Sequence, residues 1–213
     1  MDVQLIITSD GSHSLLNTEL NETYHSRHGA IQESMHVFIR NGLEYFALKN
    51  PVRPVNIFEV GFGTGLNALL TAMSGIEVNY SSIEAFPLEP DLYSALNYKP
   101  KDLMKRLHQA PWNHESRVAN VQLHKLSVPL ESVELQQNKF HIVYYDAFAP
   151  SKQPSMWELP MIEKVCNALT PGGLFVTYCA KGQLKRDLKS LGMEVETLAG
   201  PPGKKEMVRG TKK

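Results

Sequence analysis

Three short stretches carry side chains whose types and spacing suit chemistry. The first is Glu59-Val60-Gly61-Phe62-Gly63-Thr64-Gly65-Leu66, where an apolar run ends in an acid and a glycine-spaced turn opens an apolar-periodic helix. Glycines here allow positive φ and let a ligand approach the main chain, while the helix start offers unpaired amide donors. That order marks a cofactor site, with Glu59, Gly61, Phe62, Gly63, Gly65 and Asn67 as its candidate residues. The second stretch, Ser82-Ile83-Glu84-Ala85, puts an acid at the end of the next apolar run. A carboxylate there accepts two hydrogen bonds from vicinal ribose hydroxyls; a solvated strand-end Glu is the plainer reading. The third stretch is Tyr145-Asp146-Ala147-Phe148-Ala149-Pro150. Asp146 would hold an amine by hydrogen bonding while the nitrogen lone pair points at an electrophile, and Phe148 would stack on a flat substrate. An Asp with the ordinary pKa of about 3.9 is a poor base toward an amine, so its expected work is orientation unless burial raises it. A strand-end Asp capping the next turn, with Phe148 in the core, is the alternative.

The glycine turn departs from the G-x-G-x-x-G of dinucleotide sites, because the third glycine comes one position early and Leu66 fills the slot that needs a small residue. An acid two residues before the first glycine also suits a cofactor with an amino group and a sulfonium charge better than one with a pyrophosphate. The E/D-x-G-x-G-x-G pattern resembles that of S-adenosylmethionine (SAM) methyltransferases. On the turn alone, a nucleotide site and a purely structural turn stay open.

The elements that must position these residues follow from periodicity. Residues 3–8 and 12–17 read as a strand pair across Asp10-Gly11, and apolar positions from Ile31 to Phe46 read as one helix over 31–49, ended by Pro51 and Pro54. Strands at 55–60 and 77–84 flank a helix at 65–74, and a helical stretch starts at Glu89. Residues 97–116 read as an irregular insertion over the sheet edge. A strand at 117–124, a short helix at 129–136, a strand at 140–145, a helix at 158–169 and a turn at 170–173 follow. The pattern closes with a strand at 174–179, a helix at 182–191 and strands near 193–198 and 205–209. Such β/α alternation predicts a parallel sheet. The expected organisation is one structural domain: residues 1–50 as an N-terminal strand and helix extension packed on a core of residues 51–213.

A chain of 213 residues with 42% hydrophobic and 21% charged residues is ordinary for a globular protein. No membrane span or signal segment is read, so a cytoplasmic location is expected. Cys166 and Cys179 read as buried thiols. His25 and His28 lack companions at ligand spacing, so no metal site is expected. Basic and acidic residues balance at 22 each, yet residues 181–213 hold nine Lys or Arg against four acids. Lys181, Lys185, Arg186 and Lys189 form a stripe opposite an apolar helix face, near Lys204 and Lys205. A solvated face is the plainer reading of that stripe; phosphate contact is the functional one.

Taken together, Glu59 to Asn67, Ile83 to Leu88, Tyr145 to Trp157 and Lys204-Lys205-Glu206-Met207 resemble the methyltransferase domain of the bacterial MnmC family, as do Tyr24-His25-Ser26 and Glu33-Ser34. The resemblance implies an α/β, Rossmann-like class I SAM-dependent methyltransferase fold, with a mostly parallel central sheet and an antiparallel C-terminal strand. It implies N-methylation of 5-aminomethyl-2-thiouridine at the tRNA wobble position, with Asp146 as the catalytic residue. The anticodon loop of tRNA is the expected partner, met by Phe148, Pro150, Lys152, Trp157, Lys204 and Lys205. Two-function members carry a flavin-dependent oxidase domain; with the chain stopping at Lys213, none is expected here. No acid that could meet an adenine amino group occurs in residues 123–127. The competing readings are a methyltransferase of a small-molecule amine and a non-catalytic SAM- or nucleotide-binding module.

Overall fold

The computed structural model describes residues 2–213. A small antiparallel sheet comes first, made of β1 (Val3–Ile7), β2 (His13–Asn17) and β3 (Glu22–Thr23). The helix that follows is α1 (Ala30–Ser34), a π-helical run over Met35–Glu44, and α2 (Tyr45–Lys49). Apolar spacing predicts an uninterrupted α-helix here, but the Tyr45 amide donates to the Arg40 carbonyl, five residues back. Asn41 Nδ2 bonds the His36 carbonyl across the same interval. The wider turn keeps Val37, Phe38, Gly42, Leu43 and Phe46 all buried against the sheet.

The large sheet holds β4 (Val55–Val60), β5 (Val78–Ile83), β6 (Glu115–Val118), β7 (Val121–Leu126), β8 (Phe140–Tyr145), β9 (Leu169–Thr177), β10 (Met193–Ala199) and β11 (Glu206–Lys212). Their order is β10-β11-β9-β8-β4-β5-β7-β6. The five strands β7, β5, β4, β8 and β9 pair in parallel, while β11 runs antiparallel to β9 and β6 to β7. This is the mixed α/β sheet expected of the sequence. From β4 the chain moves outward through β5 to β7 and then returns to the other side of β4 as β8, so the strand order reverses between β4 and β8. Ligands of open α/β sheets bind at such a reversal, beyond the carboxyl ends of the strands.

Side chains along a strand alternate between faces. Val55 and Ile57 of β4, Tyr80 of β5, Ile142 and Tyr144 of β8 and Val176 of β9 join one apolar cluster. That cluster includes the 30–49 helix, Leu69 of α3 (Leu66–Met73) and Leu15 of the small sheet. Phe58, Val60, Val143, Tyr145 and Phe175 face the other way. They pack on Ile162 and Val165 of α6 (Leu159–Ala168) and on Leu184 and Leu188 of α7 (Gly182–Ser190). Both cysteines are buried and free. Among the described residues no helix is long and apolar enough to cross a membrane.

The structure corrects four readings besides the π-helical run. Residues 97–116 contain a regular helix, α5 (Lys101–Gln109), which follows the short α4 (Pro90–Ala95). The strand expected over 117–124 is a hairpin, because Ala119 takes φ 55 with no glycine to announce a turn. Only a single 3-10 turn, Leu130–Ser132, forms where a helix was expected at 129–136. The Thr170-Pro171-Gly172-Gly173 turn lies inside β9, where the register shifts from Phe140 opposite Leu169 to Ile142 opposite Leu174, two steps along β8 against five along β9.

Gly42 fits the 30–49 helix tightly against the sheet: a Cβ there would sit 3.2 Å from Tyr144 Cε1 and 3.3 Å from Val176 Cγ2. Gly42→Val is expected to lower the free energy of unfolding by about 2 kcal/mol through overpacking, read as an earlier urea midpoint at unchanged slope.

Candidate active site

A cavity of about 640 Å³ opens at the strand reversal. Its wall includes Gly61 to Thr64, Leu66 and Asn67, then Ile83 to Phe86, then Asp146 to Ala149. Tyr24, His25 and Glu33 of the N-terminal region and Tyr178 and Lys204 of the C-terminal region complete it. Of the sequence-derived candidates, Gly61, Phe62, Gly63, Asn67, Glu84, Ala85, Asp146, Phe148 and Lys204 therefore meet in one space.

The turn after β4 holds its shape through positive φ at Gly61 (90°) and Gly63 (50°). A Cβ on Gly61 would lie 3.0 Å from the Asp146 carbonyl oxygen, and the Asp146 amide donates to the Val60 carbonyl at 3.1 Å. Two side chains clamp the tip of the turn. His25 Nε2 lies 2.6 Å from Thr64 Oγ1, and His108 Nε2 of α5 donates to the Thr64 carbonyl at 3.0 Å. Burial pushes both imidazoles down to about 4, so both are neutral at physiological pH. Beneath the turn the fully buried Lys125 donates to the His108 carbonyl at 2.8 Å and lies over the Phe62 and Trp112 rings. Burial lowers its ammonium to about 8. Lys125 falls where an acid was sought in the sequence, and its work is to support Phe62.

Glu84 at the end of β5 accepts the Gly63 amide at 2.9 Å on one oxygen and the Phe86 amide at 3.0 Å on the other. Each oxygen keeps a lone pair for a ligand. Burial raises its pKa. Beside it, Ile83, Val128 and Leu130 form an apolar slot, and Glu131 lines the same cavity from the 3-10 turn. Glu131 has no signal in the sequence, because it stands on the 3-10 turn and not on the strand end at 123–127.

Asp146 follows β8 on the face of Ile142 and Tyr144, and so turns toward α3. Asn67 Nδ2 donates to its Oδ2 at 2.8 Å. Burial, and then the negative Glu33, raise the carboxyl to about 7; Asn67 and Lys204 oppose that shift. The loop that follows is pinned at its backbone: Tyr178 Oη donates to the Ala147 carbonyl at 2.8 Å and Trp157 Nε1 to the Phe148 carbonyl at 2.7 Å. Such bonds are worth about 1 kcal/mol each. Phe148 meets Tyr24 edge to face at 5.0 Å, making an aromatic corner in the cavity.

Other candidates sit elsewhere. Glu59 is fully buried beneath α3 and does not line the cavity; alternation along β4 turns it to the Ile57 face. Gly65 is the N-cap of α3 (φ 72), where a Cβ would collide with His108 Nε2 at 2.9 Å. Trp157 is 8% exposed and outside the cavity, so it pins Phe148 and does not stack on a ligand. Lys204 bonds Glu33 at 2.6 Å and lies 3.6 Å from the Tyr178 ring centroid, which ties it across the cavity mouth. Lys152 is half-buried outside the cavity. Pro150, Lys181 and the exposed Lys205 border an adjoining open groove that shares Ala149, Tyr178 and Lys204 with the cavity. Within the basic C-terminal segment, Lys185 pairs with Glu206 at 2.8 Å and Arg209 with Glu196 at 2.9 Å. Lys181, Arg186 and Lys189 stay exposed on α7.

A family model described as S-adenosyl-L-methionine-dependent methyltransferase matches residues 92–213. The tRNA 5-methylaminomethyl-2-thiouridine biosynthesis bifunctional protein MnmC of Nitrosospira multiformis is 29% identical over 217 residues, 92% of this chain and 35% of that protein. The protein of the same name from Pseudoalteromonas atlantica is 30% identical, covering 91% of this chain and 31% of that one. The chain thus spans about a third of the length of these relatives. The crystal structure of MNMC2 from Aquifex aeolicus superposes with TM-score 0.84 at 23% identity, covering all of this chain and 70% of the other. Spermidine synthase from Thermotoga maritima shares the fold at TM-score 0.57 and 13% identity, over 98% of this chain and 72% of its own.

The contact between Gly61 and Asp146 leaves no space for a side chain. Gly61→Ala adds a methyl group against the Asp146 carbonyl in a backbone conformation that costs an L-residue about 1–3 kcal/mol. It is expected to weaken calorimetric binding of S-adenosylhomocysteine about tenfold or more while the far-UV spectrum is kept; wild-type affinity would contradict this placement.

Proposed function

The chain belongs to the S-adenosyl-L-methionine-dependent methyltransferases, and on that premise we propose that it methylates the exocyclic amine of 5-aminomethyl-2-thiouridine at the tRNA wobble position, giving 5-methylaminomethyl-2-thiouridine. The observation that carries the reading is Asp146. A half-buried carboxyl, raised to about 7 by desolvation and the nearby Glu33, lies on the cavity wall beside an aromatic corner, in a chain aligned over 92% of its length with proteins named for that nucleoside.

The cavity fits the cofactor. Gly61 and Gly63 leave a cradle without side chains, Glu84 offers acceptors for vicinal hydroxyls, and Ile83, Val128 and Leu130 suit a flat purine with Glu131 at its amino edge. SAM, when bound, supplies an electrophilic methyl group on a sulfonium. The chain must deliver the amine with a free lone pair and keep water away. At neutral pH an aminomethyl group is largely protonated, and a carboxylate with pKa about 7 takes that proton far better than an ordinary Asp. Asp146 thus acts as base and as orienting acceptor, held by Asn67. Phe148 and Tyr24 would pack on the uracil ring.

A wobble base is already single-stranded, so the protein need not open a duplex to reach it. Lys205 on the adjoining groove, with Lys152 nearby, would meet the flanking phosphates while Pro150 offers an apolar face to a sugar or base, and Lys181 extends that border. Lys204 and Trp157 then shape the entrance and the Phe148 loop.

The test is incubation with methyl-labelled SAM and tRNA from cells lacking the modification. Label is expected in the wobble nucleoside; label only in a small amine, or none, would overturn the reading. Asp146→Asn should keep S-adenosylhomocysteine binding and lower kcat about a hundredfold or more. In the wild type kcat should rise with pH through about 7, as the carboxyl loses its proton, and Asp146→Asn should abolish that limb. Lys205→Glu should weaken tRNA binding and flatten its salt dependence without altering cofactor affinity.

A further inference from the structure

Among the described residues that line the cavity, Lys204 carries the one ammonium, against the carboxyl groups of Glu22, Glu33, Glu84, Glu131 and Asp146. His25, the other basic group on the wall, is kept neutral by burial. Lys204 Nζ lies 2.6 Å from Glu33 Oε1 and 3.6 Å from the centroid of the Tyr178 ring. Both partners are fixed independently of the lysine. Glu33 is buried and its Oε2 accepts the Ser26 amide at 2.7 Å, while Tyr178 Oη donates to the Ala147 carbonyl at 2.8 Å. Glu33 is also near enough to Asp146 to raise its carboxyl. A buried carboxylate and an aromatic face thus converge beside the proposed base, an arrangement suited to holding a primary ammonium out of water. Lys204 is anchored at its backbone, where its amide donates to the Pro201 carbonyl at 2.9 Å in the turn between β10 and β11. Its four-carbon stem can rotate about that anchor, its side chain is partly exposed, and the residue borders the open groove of Ala180, Lys181 and Lys205 as well as the cavity.

We propose that Glu33 and the Tyr178 ring form a subsite for the substrate's primary ammonium, that Lys204 fills this subsite in the free protein, and that Lys204 swings into the groove to a phosphate as the RNA arrives. An incoming aminomethyl group is largely protonated at neutral pH, and it cannot share Glu33 with the Lys204 ammonium without repulsion. Departure of Lys204 with nothing in its place would leave a buried carboxylate unpaired, which is costly. Exchange of one ammonium for another avoids both penalties. It also delivers the aminomethyl group next to Asp146, which then takes its proton. The inference rests on reading the substrate as an aminomethyl nucleoside in RNA.

The deciding variant is Lys204→Met, which keeps an apolar stem over the Tyr178 ring and empties the ammonium position. Methylammonium chloride is the probe, and it needs neither RNA nor cofactor. At about 0.2 M it should raise the melting temperature of Lys204→Met by about 3 °C relative to sodium chloride at equal strength, and that of the wild type by less than about 1 °C. The double variant Glu33→Gln, Lys204→Met should lose the effect. Equal shifts in all these proteins, or none in Lys204→Met, would overturn the subsite. Loss of about tenfold or more in S-adenosylhomocysteine affinity in the double variant would assign the subsite to the cofactor's own amino group and overturn the proposal as well. With tRNA from cells lacking the modification, the slope of log Kd against log salt should fall by about one in Lys204→Met. An unchanged slope would show that Lys204 meets no phosphate, against the exchange. Should Lys204→Met fail to fold, the Lys204 side-chain NMR signals of the wild type decide. Shifted by the Tyr178 ring current in the free protein, they should return to ordinary positions when that tRNA binds; signals that stay shifted would overturn the proposal. Failure to label tRNA would overturn the substrate reading and leave the ammonium subsite to stand or fall on the methylammonium titration.

Discussion

The ends of β4 and β8 meet backbone to backbone. The Asp146 amide bonds the Val60 carbonyl and the Gly61 Cα lies against the Asp146 carbonyl, so no side chain separates the two strands where the chain order reverses. The layout of the cavity wall follows from that approach. It brings the acid after β8 within reach of the first turn of α3, where Asn67 meets it, and it sets the glycine turn over the same opening. A sheet without this close approach would hold the same residues a side chain further apart, and a methyl transfer cannot tolerate such a displacement.

The surroundings then convert position into chemistry. Desolvation, with Glu33 adding negative charge nearby, raises the Asp146 carboxyl to about 7, a value that would suit the proposed work as a base at neutral pH. The Asn67 amide and the Lys204 ammonium pull the other way and limit that rise. The cost of burying these groups is spread over scaffolding that does no chemistry itself. His25 and His108 grip Thr64, Lys125 sits under Phe62, and Tyr178 and Trp157 hold the carbonyls of Ala147 and Phe148. Rigid support of this kind lets a small number of exposed atoms act with defined geometry.

Much of this could be read from residue order. The strand-turn-helix at 55–73, the acid at position 84 and the strand ending in Asp146 are local patterns of period and glycine spacing, and the structure has each where the pattern lies. Contacts that depend on which way a side chain turns were not legible. Glu59 looked like a ligand residue because it precedes the turn, but strand alternation sends it under α3. Trp157 is expected from sequence to meet the anticodon loop, yet its indole is spent on a carbonyl. The hairpin at Ala119, the helix at Lys101–Gln109 and the π-helical run have no strong punctuation in sequence. Lys204 read as a free cation because its partner, Glu33, lies far away along the chain.

That last pair has a consequence for how the molecule assembles. Glu33 and Lys204 are 171 positions apart, and they close the cavity mouth over the Tyr178 ring. Bringing such distant residues together carries a larger loop-closure entropy than any local contact, though the cost grows only slowly with length. One rim of the cavity is therefore built from both ends of the chain, so a fragment lacking either end would lack one jamb of the doorway.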